Sequence, residues 1–138
     1  KEYRMKEAKV SSEFKTDIVL VWEKLTNHED FHWREGIRES VKIDENSYYE
    51  IDINGQRTDY KILEKIPMER LYLSMENKKT KSTVDYTFHP LEAGCEVKAY
   101  QKTEFKDTWT GLFAGSFIDI GKLQLRYFYL AKKSLHEL

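Results

Sequence analysis

Residues 27–33 read Asn-His-Glu-Asp-Phe-His-Trp and contain the pattern His-Glu-x-x-His, as His28, Glu29 and His32. On a helix, that spacing places two imidazoles one turn apart on one face. A carboxylate lies beside them, and the set can hold zinc and activate water. The surrounding residues argue against that chemistry. Asn27 precedes the first histidine, Asp30 puts a charge at a position usually uncharged, and Arg34 follows Trp33 where an apolar residue is expected. The helical periodicity upstream ends near Leu25 to Asn27, so the pattern does not lie within a long helix. His89 and His136 are far along the chain, whereas a catalytic zinc needs three protein ligands. The expectation is no metal and no cofactor. His28, Glu29 and Asp30 then face solvent, while Phe31 and Trp33 pack inward.

Acid–base chemistry is the next possibility. Glu39, Glu64, Gln101, Thr103 and Gln124 share parity or helix face with inward-pointing apolar residues. A carboxylate inside an apolar cavity has its pKa raised and can act as an acid or base. Glu64 is the candidate catalytic residue on this reading. The competing expectation for Glu39 and Glu64 is a strand-end acid reaching solvent, because lone acids are seldom fully buried. Gln101 and Gln124 suit the orientation of a polar ligand group. Cys95 stands beside a turn and reads as a small buried hydrophobe.

These side chains need elements to position them. Residues 4–14 alternate with Ala8, Val10 and Phe14 on one parity, which predicts a strand. Thr16 can cap the following helix, with Asp17 in its first turn. Ile18, Val21, Trp22 and Leu25 then recur at helical spacing. From Gly36 to Phe105 the period becomes two. Ile37, Val41 and Ile43 share a parity. So do Tyr49, Ile51 and Ile53, followed by Asn54-Gly55, the preferred pair of a two-residue type I′ hairpin. Thr58, Tyr60 and Ile62 follow, then Pro67, then Leu71, Leu73 and Met75. Val84, Tyr86 and Phe88 run to His89-Pro90, and Ala93-Gly94 completes that turn. Cys95, Val97, Ala99, Gln101 and Thr103 end the series. Short links between successive strands predict an antiparallel meander. From Trp109 onward the pattern is helical, through Phe113, Phe117, Ile120, Leu123, Tyr127, Leu130 and Leu135. Gly111, Gly115 and Gly121 cluster at its start, and either a flexible entrance or helix-start chemistry accounts for them.

Composition supports one folded domain over residues 1–138. Forty per cent of the residues are hydrophobic, and 14% are aromatic, enough for a well-filled core or an aromatic-lined cavity. A net charge of −1 gives no field to draw the chain onto nucleic acid or an anionic membrane. The short basic cluster Lys78-Lys79-Thr80-Lys81 reads as a solvated turn. One cysteine excludes an internal disulfide, and no apolar run approaches the ~20 residues that span a bilayer. The expected location is the cytoplasm. Composition leaves the oligomeric state open.

In three places the chain resembles the START-like, or SRPBCC, superfamily in its polyketide cyclase/dehydrase-like branch. The segment FKTDIVLVWEKLTNHEDFHW is similar to that family's opening, with Phe14, the Val21-Trp22 pair and Trp33 at corresponding places. ILEKIPMERL resembles its turn between central strands. FHPLEAGCEV resembles its hairpin, with Cys95 where threonine is usual. The resemblance implies an α+β helix-grip fold. Seven strands form a curved antiparallel sheet around a long C-terminal helix, with two short helices between strands 1 and 2. It implies a small hydrophobic or amphipathic ligand held between sheet and helix, in a family that includes enzymes as well as carriers and sensors. The expectation for this chain is a carrier or sensor without catalysis. The lining would be Ile51, Tyr60, Met75, Tyr86, Phe88, Gln101, Phe113, Phe117, Ile120 and Gln124. A carrier of that type needs a cavity of about 300 Å³ or more. The alternatives are a cyclase or dehydrase that uses Glu64 with a tyrosine, and a protein-interaction domain of chaperone-activator type.

Overall fold

A computed structural model describes residues 5–106 and 119–138. β1 (Met5–Phe14) leads into α1 (Ile18–Thr26). Six strands follow: β2 (Ile37–Asp44), β3 (Ser47–Asp52), β4 (Arg57–Ile66), β5 (Arg70–Glu76), β6 (Thr80–Pro90) and β7 (Cys95–Phe105). The last described element, α2, spans Ile120–Ser134. The seven strands form one antiparallel sheet in the order β1-β7-β6-β5-β4-β3-β2. β2 to β7 thus make the expected meander, and β1 closes onto its last strand.

Asp17, not Thr16, caps α1: its carboxylate accepts from Val19 N at 2.9 Å. Thr16 is held instead by Glu137, whose carboxylate also accepts from the amides of Lys15 and Thr16. α1 buries Val21, Trp22 and Leu25. Residues 27–36 form turns and no second short helix, which corrects that expectation. Asn27 explains why. Its carbonyl accepts from Asp30 N and its side chain from Glu29 N, so the chain turns off the helix axis.

α2 is capped by Asp119, which accepts from Lys122 N, and carries Lys132 and Lys133 in its last turn. Ile120, Gln124, Phe128 and Ala131 form its buried stripe. Phe128 meets Phe14 edge to face at 6.0 Å, and Trp22 meets Phe88 at 4.9 Å. Around these rings sit Leu71, Val84, Val97 and Cys95. Burial pushes the Cys95 thiol up to about 11, as suits a structural cysteine. Gly94 closes the β6–β7 turn with φ +86°, and a Cβ there would stand 1.9 Å from the Phe14 carbonyl oxygen.

The β3–β4 connection departs from the expected turn. Gly55 is left-handed, at φ +82°, but Asn54 is not, so the type I′ requirement of two left-handed residues fails. The loop is Ile53-Asn54-Gly55, closed by Asp52 N donating to Gln56 O at 2.9 Å. Asp52 Oδ1 accepts from the amides of Asn54 and Gln56 and fixes it. That one extra loop residue pairs Tyr48 with Tyr60 and Glu50 with Thr58, instead of Tyr49 and Ile51. A one-residue slip turns every side chain over. Tyr48 and Glu50 therefore face inward, while Tyr49 and Ile51 face outward.

Candidate functional site

The reversed hairpin brings a charged pair inside. Glu50 is 2% exposed. Arg34, from the turns after α1, grips it in bidentate fashion: Nη1 to Oε1 at 3.2 Å and Nη2 to Oε2 at 2.5 Å. Arg34 Nη2 also donates to the His28 carbonyl at 3.4 Å. Burial disfavours the Arg34 charge, but the hydrogen bond and charge of Glu50 outweigh it and hold the guanidinium above its ordinary pKa. Such a pair contributes little net stability, yet breaking it strands a buried charge.

Ser40, opposite Glu50 on β2, donates to Glu50 Oε2 at 3.1 Å and lies 2.8 Å from His28 Nδ1. The His28 ring stacks on Tyr48 at 3.8 Å and 5°, and Tyr48 stacks on Tyr60 at 4.6 Å and 5°. Desolvation raises the phenol pKa values of Tyr48 and Tyr60, reinforced by their neighbours, and both stay protonated. Burial likewise pushes Tyr127 up to about 12, and its hydroxyl donates to Leu25 O at 2.9 Å.

A second polar chain crosses the interior. Tyr86 donates to Gln124 Oε1 at 2.9 Å, Gln124 Nε2 to Gln101 Oε1 at 2.6 Å, and Gln101 Nε2 to Thr103 Oγ1 at 3.0 Å. Thr103 meets Ser82 at 2.8 Å. Between the two polar systems lies a cavity of about 240 Å³, walled by Trp33, Tyr48, Tyr60, Tyr86, Tyr127 and Leu73 among others. A recess of about 260 Å³ shares Tyr60, Met75, Gln101 and Leu123 with it and reaches Ile120. On the other side, a polar crevice of about 220 Å³ shares Thr26, Asn27, His28, Tyr48 and Ile62. Neither internal space alone reaches the size expected of a carrier.

Of the ten residues expected to line the site, Tyr60, Met75, Tyr86, Gln101 and Gln124 meet at the main cavity, and Ile120 borders the recess. Ile51 does not, because the hairpin is reversed. Phe88 does not either: it lies in the core against Trp22. Phe113 and Phe117 fall outside the described residues, as do Gly111 and Gly115. Glu64 is misplaced for catalysis. β4 carries an extra residue, Leu63, between Ile62 opposite Leu73 and Glu64 opposite Tyr72. The bulge turns Glu64 to the outer face, where it binds Arg70 at 2.6 Å beside Asp85. Glu39 is exposed too, opposite Ile51.

Sequence reasoning missed Arg34, Glu50 and Ser40, and it placed His28 in solvent. Counting three loop residues from Asp52, a residue suited to hydrogen-bond such a turn, gives the correct face. The histidine pair of the zinc pattern does not form a helix face. His28 stacks on Tyr48, while exposed His32 stacks on Phe31 at 4.4 Å. Trp33 packs on Tyr127 at 5.4 Å, and its Nε1 donates to Asp30 O.

An antiparallel sheet gripping a helix over an aromatic cavity defines a class of fold. No protein-family model matches the chain, and no curated protein does. Solved structures do. A START superfamily protein from Mycobacterium smegmatis matches with TM-score 0.76 and 10% identity, covering 96% of this chain and 97% of the other. Ara h 8.0201 matches with TM-score 0.74 and 7% identity over 97% and 99%. Protein MLL2253 from Mesorhizobium loti matches with TM-score 0.73 and 15% identity over 96% and 98%. The chain has the START-like, Bet v 1-like helix-grip fold. No helix among the described residues is long and apolar enough to cross a membrane.

Proposed function

We propose that this protein binds a compact, mainly apolar molecule in the cavity between the sheet and α2, and holds it without transforming it. The observation that carries this reading is the internal cavity itself, walled by aromatic rings. Its charged end is already neutralised, because Glu50 is bound to Arg34. Both Glu50 carboxylate oxygens are already engaged by Arg34 and Ser40, which favours binding over acid–base chemistry. The volume limits the ligand to a small ring system or its equivalent. Extended acyl chains exceed it.

Native mass spectrometry of the protein purified from its host tests the proposal. The expected result is a small molecule in wild-type protein that is absent from a folded Met75→Trp variant, whose indole fills the wall shared by the two spaces. A molecule that persists in Met75→Trp, or a wild-type protein that carries none and binds no small aromatic in titration, sinks the reading.

A further inference from the structure

The hydrogen bonds around Glu50 have only one consistent direction. Glu50 is a carboxylate gripped by Arg34, so it accepts only. Ser40 has one proton and gives it to Glu50. The Ser40 oxygen must then accept from His28, and the proton of a neutral His28 sits on Nδ1. That leaves Nε2 as a bare lone pair. It has no partner among the described residues, although His28 lines both the cavity and the outer crevice.

From this chain we infer that His28 is the specificity-determining residue of the cavity and that Nε2 accepts a hydrogen bond from a hydroxyl on a planar ligand. The ligand class is a phenol or an enol, not a bare hydrocarbon. The inference rests on the cavity-binding reading and narrows it. The ring is held flat against Tyr48, and Tyr48 against Tyr60, so a planar molecule meets parallel aromatic faces nearby.

Charge around the imidazole is balanced. Glu29 and Arg34 act from its own turn, Glu50 from β3 and Lys65 from β4. Lys42, Asp44 and Glu45 line the crevice from the β2–β3 side. Burial dominates and lowers the His28 pKa, so the ring is neutral at pH 7 and the lone pair is present.

Two measurements test the inference. Long-range proton–nitrogen NMR of the imidazoles, with His28 assigned by its loss in His28→Phe, should show the Nδ1–H tautomer at pH 7. An Nε2–H tautomer overturns the proposal. Displacement of a fluorescent apolar probe should then show 2-naphthol binding about tenfold tighter than 2-fluoronaphthalene, which has the same shape without the donor. That ratio should fall to about one in His28→Phe and, in wild-type protein, as pH drops below the His28 pKa. The pH series needs no variant, so the test survives a poorly folded His28→Phe. Equal binding of both probes at every pH overturns the hydroxyl preference and leaves the cavity reading standing. A tenfold preference that persists in folded His28→Phe assigns the hydroxyl to another group and also overturns it. If neither probe binds, both readings fall.

Discussion

The β6–β7 and β2–β3 hairpins obey opposite rules. In β6 and β7 the inward set is Val84, Tyr86 and Phe88 opposite Gln101, Ala99 and Val97, and all are buried. Hydrophobic pattern and fold agree, and the pair holds the core together. In β2 and β3 the inward set is Ser40 and Lys42 opposite Glu50 and Tyr48. The apolar residues Val41, Tyr49 and Ile51 go outward, and Ile43 is left 57% exposed. Tyr49 finds its cover outside the sheet, under the Arg57 guanidinium at 3.8 Å. One hairpin is arranged for stability. The other gives up its own hydrophobic pattern to put a charged pair, a serine and a tyrosine beside the cavity. Where alternation and burial disagree in this chain, the disagreement marks the site.

Substitutions can break or sharpen this contrast. The largest effect belongs to the stability hairpin. Gly94→Ala forces a Cβ onto the Phe14 carbonyl at a left-handed φ, and thermal denaturation should show a loss of about 4 kcal/mol or more. Next is Glu50→Ala, which leaves Arg34 without its partner and should cost about 3 kcal/mol by urea titration. The double change Arg34→Met with Glu50→Leu should restore stability to within about 1 kcal/mol of wild type. It should still abolish hydroxyl selectivity in the cavity. If the double variant stays as unstable as Glu50→Ala, the pair is a stability device and the contrast between the hairpins collapses.

Smaller effects follow. Gly55→Ala should lose about 1 kcal/mol, because a left-handed residue is required there although open space surrounds it. Ile43→Thr should change the unfolding free energy read by urea titration by less than about 0.5 kcal/mol, whereas an inward isoleucine would cost several times more. The smallest effect is in pH. The folded pKa of His28 lies below its unfolded value of about 6.5, so the unfolded chain binds the extra proton. Stability should fall as pH drops below about 6.5 by under about 1 kcal/mol from this half-buried ring, and His28→Phe should remove that slope.

The strand count, the meander and the gripping helix are legible in the sequence because alternation, turn residues and helical spacing agree in most segments. Tyr60, Met75, Tyr86, Gln101 and Gln124 are legible as inward residues for the same reason. The polar end of the site is not. Two backbone events of one residue each hide it: the third loop residue after Asp52 and the bulge at Leu63. Local alternation cannot register either event, since both strands still look regular on each side. The turns after α1 are hidden differently. Arg34 looks misplaced in the chain until Glu50, sixteen positions on, faces it.

The bulge at Leu63 has a consequence for insertions and deletions. Upstream of it, even-numbered residues of β4 such as Tyr60 and Ile62 face the interior. Downstream the parity is reversed, so Lys65 reaches the crevice while Glu64 does not. Removing Leu63 alone would leave Ile62 followed directly by Glu64, still opposite Tyr72, and Lys65 still opposite Leu71. The strand would then alternate regularly, and no side chain would change face. Removing a paired residue of β4 upstream of the bulge would instead shift one half of the strand against its neighbours and turn its side chains over. Leu63 is thus the one position between Ile62 and Glu64 where a codon can be gained or lost with the outward carboxylate and the inward lysine both kept.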